Sequence, residues 1–545
     1  MRRLSCVMFA LILAASGSAA DRPKIGLALG GGGARGAAHV GVIRVLEQMH
    51  VPIDYIAGTS MGAVVGGLYA SGLTTDQIER ALTQMDWNDA LSDRTTYKEL
   101  SYRRKEDENR YLTAFEAGLR RGRLTLPIGL RSAQKLRFFL QSYLVPVASV
   151  HDFSKLPIPF KAVAADIETG DPVVLDHGDL AEAIRASLSL PGIFSPIEID
   201  GRLLVDGGIA DNIPVDVVRA MGADIVIAVD VGSPMLKRDK LGSLFAVSSQ
   251  VLTLLTRRNS AQQLANANVV ITPPVADFGT LAFTDAARII VLGAQEAERQ
   301  REHLARYAVS AEQYANGRPV QSMENRKLDY VGSEGSRRVD PRIVRGRVRT
   351  RPGRPLDPET LRGDVARLYG LDDFQTVNFS IRDDAGQHGI VFELKDKPWG
   401  PTYVRFGLNL TDDLRGDSTY GVLVNVTRTR INALGAEWRN DIKLGREEGL
   451  FSEFYQPLDF SGRFFVAPSI QLAKEKFSFF EGEHRTGLYD VVRRGGAFDL
   501  GMEFGQWGAL RAGVIRGRVR ATVDAGSLDL PQGIIDVGGL TSSLT

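Results

Sequence analysis

Thiols are all but missing from this chain: its one cysteine, Cys6, lies among the first twenty residues. Removal of that segment would leave no disulfide and no thiolate metal site. An excess of one charge is missing as well. The formal net charge is +1, which excludes a polyelectrolyte surface for nucleic acid, so any basic patch must be local. The apolar run from Leu4 to about Ala15 falls short of the roughly 20 residues that a membrane-crossing helix needs. It follows Met1-Arg2-Arg3 and closes on Ser18-Ala19-Ala20, the three regions of a secretory leader, so cleavage after Ala20 is expected. Histidine is scarce too, with seven in 545 residues.

What is present describes an ordinary folded protein, 44% hydrophobic and 24% charged, and long enough for two to four domains. Residues 21–308 alternate short apolar runs with helical periodicity, which predicts an α/β domain with a mainly parallel sheet flanked by helices. Strands are expected at Ile25–Leu29, Ile53–Ala57, Phe160–Ala165 and Ile225–Val229. Leu180, Ala183, Ile184 and Leu188 share one helical face and are expected to pack on the sheet.

Residues 309–337 lose apolar periodicity and read as a linker. A small α+β unit is expected over 338–398. It comprises a strand at Ile343–Val348, a helix at Pro358–Tyr369 capped by Asp357 and ended at Gly370, and strands at Val377–Ile381 and Gly389–Leu394. It resembles a POTRA domain, the β-α-α-β-β module placed before outer-membrane barrels. From 399 to 545 the texture becomes alternating. Val404, Phe406, Leu408 and Leu410 face one way against Arg405 and Asn409, and Leu434, Ala436, Trp438 and Ile442 oppose Glu437, Arg439, Asp441 and Lys443. Similar runs recur near Val422, Phe464, Phe498 and Leu510, each about the length of a tilted transmembrane strand, which predicts an antiparallel membrane β-barrel. With about seven such strands and a last segment Thr-Ser-Ser-Leu-Thr, the barrel is expected to be incomplete, the sequence being a fragment or, as the lesser alternative, its strands closing only by oligomerising.

Chemistry concentrates in the first block. The strand at Ile25–Leu29 runs into Gly30-Gly31-Gly32-Gly33-Ala34-Arg35-Gly36, and a helix follows. Such a turn presents bare N–H groups at the positive end of a helix dipole. Gly31-x-Gly33-x-x-Gly36 also fits the dinucleotide fingerprint, but that fingerprint needs an acidic residue after the second strand. Gly58-Thr59-Ser60-Met61-Gly62 stands there instead, a G-x-S-x-G elbow between a strand and the helix Ala63–Tyr69. Gly58 and Gly62 leave room for the sharp turn. The elbow offers Ser60 as nucleophile, and N–H groups around Gly31, Gly32 and Gly33 could hold an oxyanion without metal or cofactor. Arg35 either braces the loop, meets a phosphate headgroup, or is an ordinary surface arginine.

A serine needs a proton acceptor. His303 sits in a charged stretch that reads as a surface helix, and His39 reads as a packed or capping residue, so no triad histidine emerges. Asp206 ends the apolar run Leu203-Leu204-Val205, and Gly207 and Gly208 after it allow close approach to the elbow. These three motifs, in this order over residues 31–208, resemble the patatin-like phospholipase family. The resemblance implies a Ser60–Asp206 dyad, an oxyanion hole at Gly31–Gly33, no cofactor, no metal, and lipid esters such as membrane phospholipids as substrates. Asp166 to Gly170 also resembles a recurring family segment, with no catalytic role assigned.

Residues 101–137 are locally basic with interleaved aromatics, from Arg103, Arg104 and Lys105 to Lys135 and Arg137. This stretch could cap the site and bind anionic lipid headgroups, or form a solvated helical face. The order of leader, patatin-like domain, POTRA-like unit and barrel is similar to patatin-type autotransporters. That similarity implies outer-membrane residence, with the first domain on the surface or released by cleavage near the linker; a homodimer stays open. Two other classes compete: a lipid-binding outer-membrane transport or assembly protein without hydrolase activity, and a nucleotide-binding module.

Overall fold

The computed structural model describes residues 22–90, 97–98, 100–110, 116–120, 122–125, 134–191, 193–232, 234–235, 237–238, 241–242, 244–317, 327–384, 386–412, 418–445, 447–481, 484–526 and 532–545. The chain divides into two compact units. The first joins residues up to 87 with 150–322, and the second joins 88–149 with 323–545. The leader expected at 1–20 lies outside the described residues. The stretch 21–308, read from sequence as one domain, therefore encloses a segment, 88–149, whose packing partners belong to the second unit.

The first unit is built on an eight-stranded sheet: β1 (Ile25–Leu29), β2 (Tyr55–Thr59), β3 (Phe160–Asp166), β4 (Pro172–Leu175), β5 (Ile197–Ile199), β6 (Arg202–Asp206), β7 (Ile225–Val229) and β8 (Val269–Ile271). Their order is β8-β7-β1-β2-β3-β6-β5, with β4 also on β3. The run from β8 to β3 is parallel, while β4 and β6 lie antiparallel to β3. β2 starts and ends two residues later than its apolar pattern suggests, because Gly58 and Thr59 still pair with Leu29 and Val163. β1 and β7 are apolar throughout, as strands covered on both faces require. Helices α1 (Ala38–Gln48), α2 (Met61–Ala70), α3 (Leu180–Ser187), α4 (Val215–Ala220), α5 (Leu244–Ala265) and α6 (Ala286–Arg299) accompany the sheet. Leu180, Ala183, Ile184 and Leu188 are buried, as their spacing predicts.

The second unit holds a β-α-α-β-β module and a long antiparallel sheet. In the module, the strand Tyr330–Glu334 pairs in parallel with Gln387–Asp396, which pairs antiparallel with Phe374–Asp384. The helix Pro358–Tyr369 is capped by Asp357, which accepts from Thr360 N–H at 2.9 Å, and ends at Gly370 as the sequence suggests. Two expectations are corrected. Ile343–Val348 is not a strand: Asp340 caps a helix at Pro341–Arg347, and this cap with proline at the first position outweighs the β-branched pair Ile343-Val344. Residues 309–337 are not all linker, since Ala311–Gly317 is helical and Tyr330–Glu334 is the module's first strand.

Eight antiparallel strands follow, from Thr402–Asp412 to Gly533–Leu544, the longest 20 residues. In the first of these strands several apolar side chains are exposed and polar ones are buried, while toward the last strands charged side chains such as Arg518 and Asp536 are exposed too. Leu408 is 55% exposed and Trp438 49%, whereas Arg439 is 1% exposed and Asn425 fully buried. Leu434 lies in the turn before its strand. The segment 88–149 supplies part of what covers the polar face. Its helix Tyr102–Arg110 sets Arg103 against Glu453 at 2.7 Å, joins Arg104 to Glu437, and joins Asp107 to Arg439. Part of the basic stretch is therefore not open to lipid headgroups. Arg103, Arg104 and Lys105 are buried and engaged inside the unit, Arg137 is buried, and Lys135 pairs with Asp89. Arg121 and Arg131 lie outside the described residues.

Two glycines decide how α1 and α6 pack in the first unit. A Cβ on Gly293 would stand 2.0 Å from the Ala38 carbonyl oxygen, and one on Gly41 equally close to that of Ile290. Alanine at 293 gains about 1 kcal/mol of helix propensity, but overpacking costs about 1–3 kcal/mol, and backbone cannot yield as a side chain can. Gly293→Ala should therefore lower the melting temperature of the transition that unfolds the first unit, followed by circular dichroism; a rise would contradict the close approach.

Candidate active site

Strand register brings three distant segments to one level. β1 and β2 end side by side, with Leu29 opposite Gly58, so the glycine loop and the elbow emerge together. Thr59 pairs with Val163 of β3, and the next β3 residue, Ala164, pairs with Asp206. Ser60, one residue past Thr59, thus meets Asp206 although 146 positions separate them, and its Oγ donates to Asp206 Oδ2 at 2.7 Å.

The elbow is strained in the way its sequence demands. Ser60 has φ 54° and ψ −121°, a left-handed conformation that costs an ordinary residue about 1–3 kcal/mol. A Cβ on Gly62 would sit 2.1 Å from the Leu29 carbonyl oxygen, and one on Gly58 would run into Gly62 itself, so neither position accepts a side chain. The Ser60 N–H donates to Ser187 Oγ at 2.8 Å, and that hydroxyl donates on to the Val163 carbonyl at 2.5 Å. Ser187 is fully buried and ties the turn to β3.

Asp206 is also buried, and loss of water pushes its carboxyl up to about 6. Hydrogen bonds from Ser60 and from Gly208 N–H, the latter at 2.8 Å to Oδ1, pull the other way and keep it from rising further. The result is a buried carboxyl with one oxygen on the serine hydroxyl and the other held by its own turn. Gly207 is needed for that turn, since a Cβ there would meet the Val163 carbonyl at 2.1 Å.

The glycine loop is only partly available as a donor set. Gly31 N–H is bonded to the Asn212 carbonyl at 3.1 Å, which removes it as an oxyanion donor. Gly32 and Gly33 are partly exposed, and among the described residues no acceptor is recorded for their N–H groups. Gly31 instead gives close approach, because a Cβ on it would stand 3.1 Å from Ser60 Cβ. Gly36 gives room to Met61 in the same way. Arg35 braces the loop from within: buried, it donates to the carbonyls of Val231 and Phe278 at 3.2 and 2.8 Å, and desolvation lowers it to about 10.

Residues 27–219, which contain the glycine loop, Ser60 and Asp206, match the family described as Patatin-like phospholipase. This segment is similar to that family. An uncharacterised NTE family protein of Mycobacterium bovis is 39% identical over 207 residues, covering 38% of this chain and 49% of that protein. The lysophospholipase NTE1 of Mycosarcoma maydis is 33% identical over 289 residues, covering 48% of this chain and 14% of that protein. The chain thus spans about half the length of the bacterial relative it matches. Among solved structures, VipD from Legionella pneumophila aligns with a TM-score of 0.31 and 14% identity over 52% of this chain and 67% of that one.

His39 and His303, the two histidines weighed as proton acceptors, are placed otherwise. His39 is fully buried, bonds the Gly30 carbonyl through Nε2 at 2.8 Å, and is lowered to about 4 by burial, so it is neutral and structural. His303 is exposed on a short helix. Asp166 turns the β3–β4 hairpin by accepting from Glu168 N–H at 2.9 Å. Sequence reasoning missed Asn212, which touches the glycine loop through its backbone and through Nδ2 to the Gly31 carbonyl at 3.4 Å. It also missed Ser187, whose one signal is a hydroxyl on the apolar face of α3, seven residues after Leu180. Asp211, in the same turn as Asp206, is raised to about 7 by burial, with Asp216 adding to the effect.

A carboxyl raised from 3.8 to about 6 binds its proton more tightly folded than unfolded. Its burden on stability is absent below the unfolded value and complete above about pH 6, where it reaches about 3 kcal/mol. Asp206→Asn should therefore melt at higher temperature than wild type at pH 7.5, and the gap should narrow on acidification, to about half at pH 5. Calorimetric melts at the two pH values test this; a variant less stable than wild type at pH 7.5 would contradict a desolvated carboxylate.

Proposed function

We propose that the patatin-like domain is a serine lipid acyl hydrolase using a Ser60–Asp206 dyad and an acyl-enzyme. The observation that carries this is the 2.7 Å hydrogen bond from a strained elbow serine to a buried carboxyl raised to about 6. Ser60 Oγ attacks the ester carbonyl carbon while Asp206 takes its proton. The oxyanion of the tetrahedral intermediate is held by Gly32 and Gly33 N–H groups. Collapse expels the alcohol portion, which receives the proton from Asp206, and leaves the fatty acyl group on Ser60. Asp206 then deprotonates water, the hydroxide attacks the acyl carbon, and the fatty acid leaves as the proton returns to Ser60. One carboxyl thus serves as base and acid in both halves, which agrees with histidines placed elsewhere. The substrate class is membrane phospholipids, lysophospholipids or other lipid esters.

The second unit is read as the membrane part: a POTRA-like module followed by strands of an outer-membrane β-barrel, with the leader serving export. Support comes from the inverted burial of the long sheet. A soluble sheet hides its apolar face, whereas here side chains such as Leu408 face outward and Arg439 and Asp441 are buried, the arrangement that suits a lipid surround. The β-α-α-β-β order of residues 330–396 supports the POTRA-like reading.

Product analysis on defined phospholipids tests the enzyme. Wild type should release fatty acid, and Ser60→Ala and Asp206→Asn should each lower kcat about 10³-fold or more. In wild type, kcat/KM should fall roughly tenfold per pH unit below about 6, where Asp206 takes up a proton. Substantial turnover by purified Asp206→Asn would remove the dyad.

A further inference from the structure

The chain passes between the two units three times: between Trp87 and Asn88, between Ser149 and Val150, and between Ser322 and Met323. The inserted segment 88–149 is part of the second unit's fabric at three separate places. First, the helix Tyr102–Arg110 is held on the polar face of the long sheet by buried ion pairs: Arg103 with Glu453, Arg104 with Glu437, and Asp107 with Arg439. Second, the strand Glu116–Arg120 pairs antiparallel with Thr402–Asp412, and Glu116 accepts from Trp399 Nε1 at 3.2 Å. Third, the helix Gln134–Leu144 and the turn after it belong to the core of the β-α-α-β-β module. Val145 is buried there with Leu361 and Val377, Phe138 packs against it, and Gln134 donates to the Val377 carbonyl at 2.5 Å.

We infer that the patatin-like unit cannot be released from the second unit by a cut between them, because its own chain is threaded through that unit by residues 88–149. Cleavage between Gly317 and Lys327 breaks one covalent crossing of three. The amino-terminal fragment keeps the inserted helix and strand as well as the helix Gln134–Leu144, and with them buried ion pairs, main-chain pairing and an apolar core contact. Removing one partner of such a buried ion pair is unfavourable, so the three attachments support one another. The catalytic unit of the proposed function would accordingly stay with the half read as membrane-bound and meet its lipid substrate there, rather than act as a freed passenger. This last step rests on the proposed function; the threading itself does not.

The test uses the full chain with Ser60→Ala, solubilised in detergent and carrying a specific protease site between Gly317 and Lys327. Complete cutting is verified on a denaturing gel, and the cut protein is then run on a native sizing column. The two fragments should co-elute as one species of the uncut size. Elution of the amino-terminal fragment alone would overturn the inference. A second variant, with residues 88–149 replaced by a flexible glycine–serine linker and the same site, should separate into two species after cutting. Co-elution in that variant would place the hold elsewhere and overturn it equally. Because fragment association is read without turnover, failure here and failure of the hydrolase reading are distinguishable.

Discussion

One hydrogen bond organises the first unit: Ser60 Oγ to Asp206 Oδ2 at 2.7 Å. For it to form, β2 must end in a turn so tight that no side chain fits at Gly58 or Gly62, and β6 must run antiparallel to β3 so that Asp206 stops level with the elbow. The turn is then held in a left-handed conformation by Ser187, which binds the Ser60 N–H and the Val163 carbonyl at once. Burial of Asp206 follows from the same geometry, and burial makes its carboxyl a stronger base at the cost of stability above pH 6. Strain at Ser60 and desolvation at Asp206 are thus two results of one packing solution.

The second unit reverses the usual logic of a sheet. Its strands bury Arg439, Asn425 and Asp441 and expose Leu408, Trp438 and Leu444, and the buried Arg439, Glu437 and Glu453 are matched by Asp107, Arg104 and Arg103 of an inserted helix. Buried ion pairs add little net stability compared with apolar packing, but leaving one partner unmatched is expensive, so they fix which segment may cover the polar face. That explains why a stretch as basic as 101–110 lies inside the unit instead of meeting solvent.

Much of the site was legible in the sequence because glycine marks it. Gly58, Gly62 and Gly207 announce close backbone approach, and the apolar strands ahead of Ser60 and Asp206 give each motif its context. The donor roles within the glycine loop were less legible, since the contact that engages Gly31 comes from Asn212, 181 residues away. Ser187 was hidden for a similar reason, being one hydroxyl in a helix whose periodicity speaks only of packing. Local signals misled at Ile343–Val348, where β-branched residues suggested a strand and the Asp340-Pro341 cap produced a helix. Residues 88–149 were assigned to the wrong neighbours because periodicity tells that a face is apolar or basic without telling which core or which carboxylates will receive it.

The proposed hydrolysis depends on Ser60 being activated by Asp206. Labelling the native full chain with a fluorophosphonate probe and locating the adduct by peptide mass spectrometry tests that most directly. The adduct should form on Ser60, and its rate of formation should collapse in Asp206→Asn while the variant stays folded. Labelling at another residue, or an unchanged rate at Ser60 in Asp206→Asn, would contradict it.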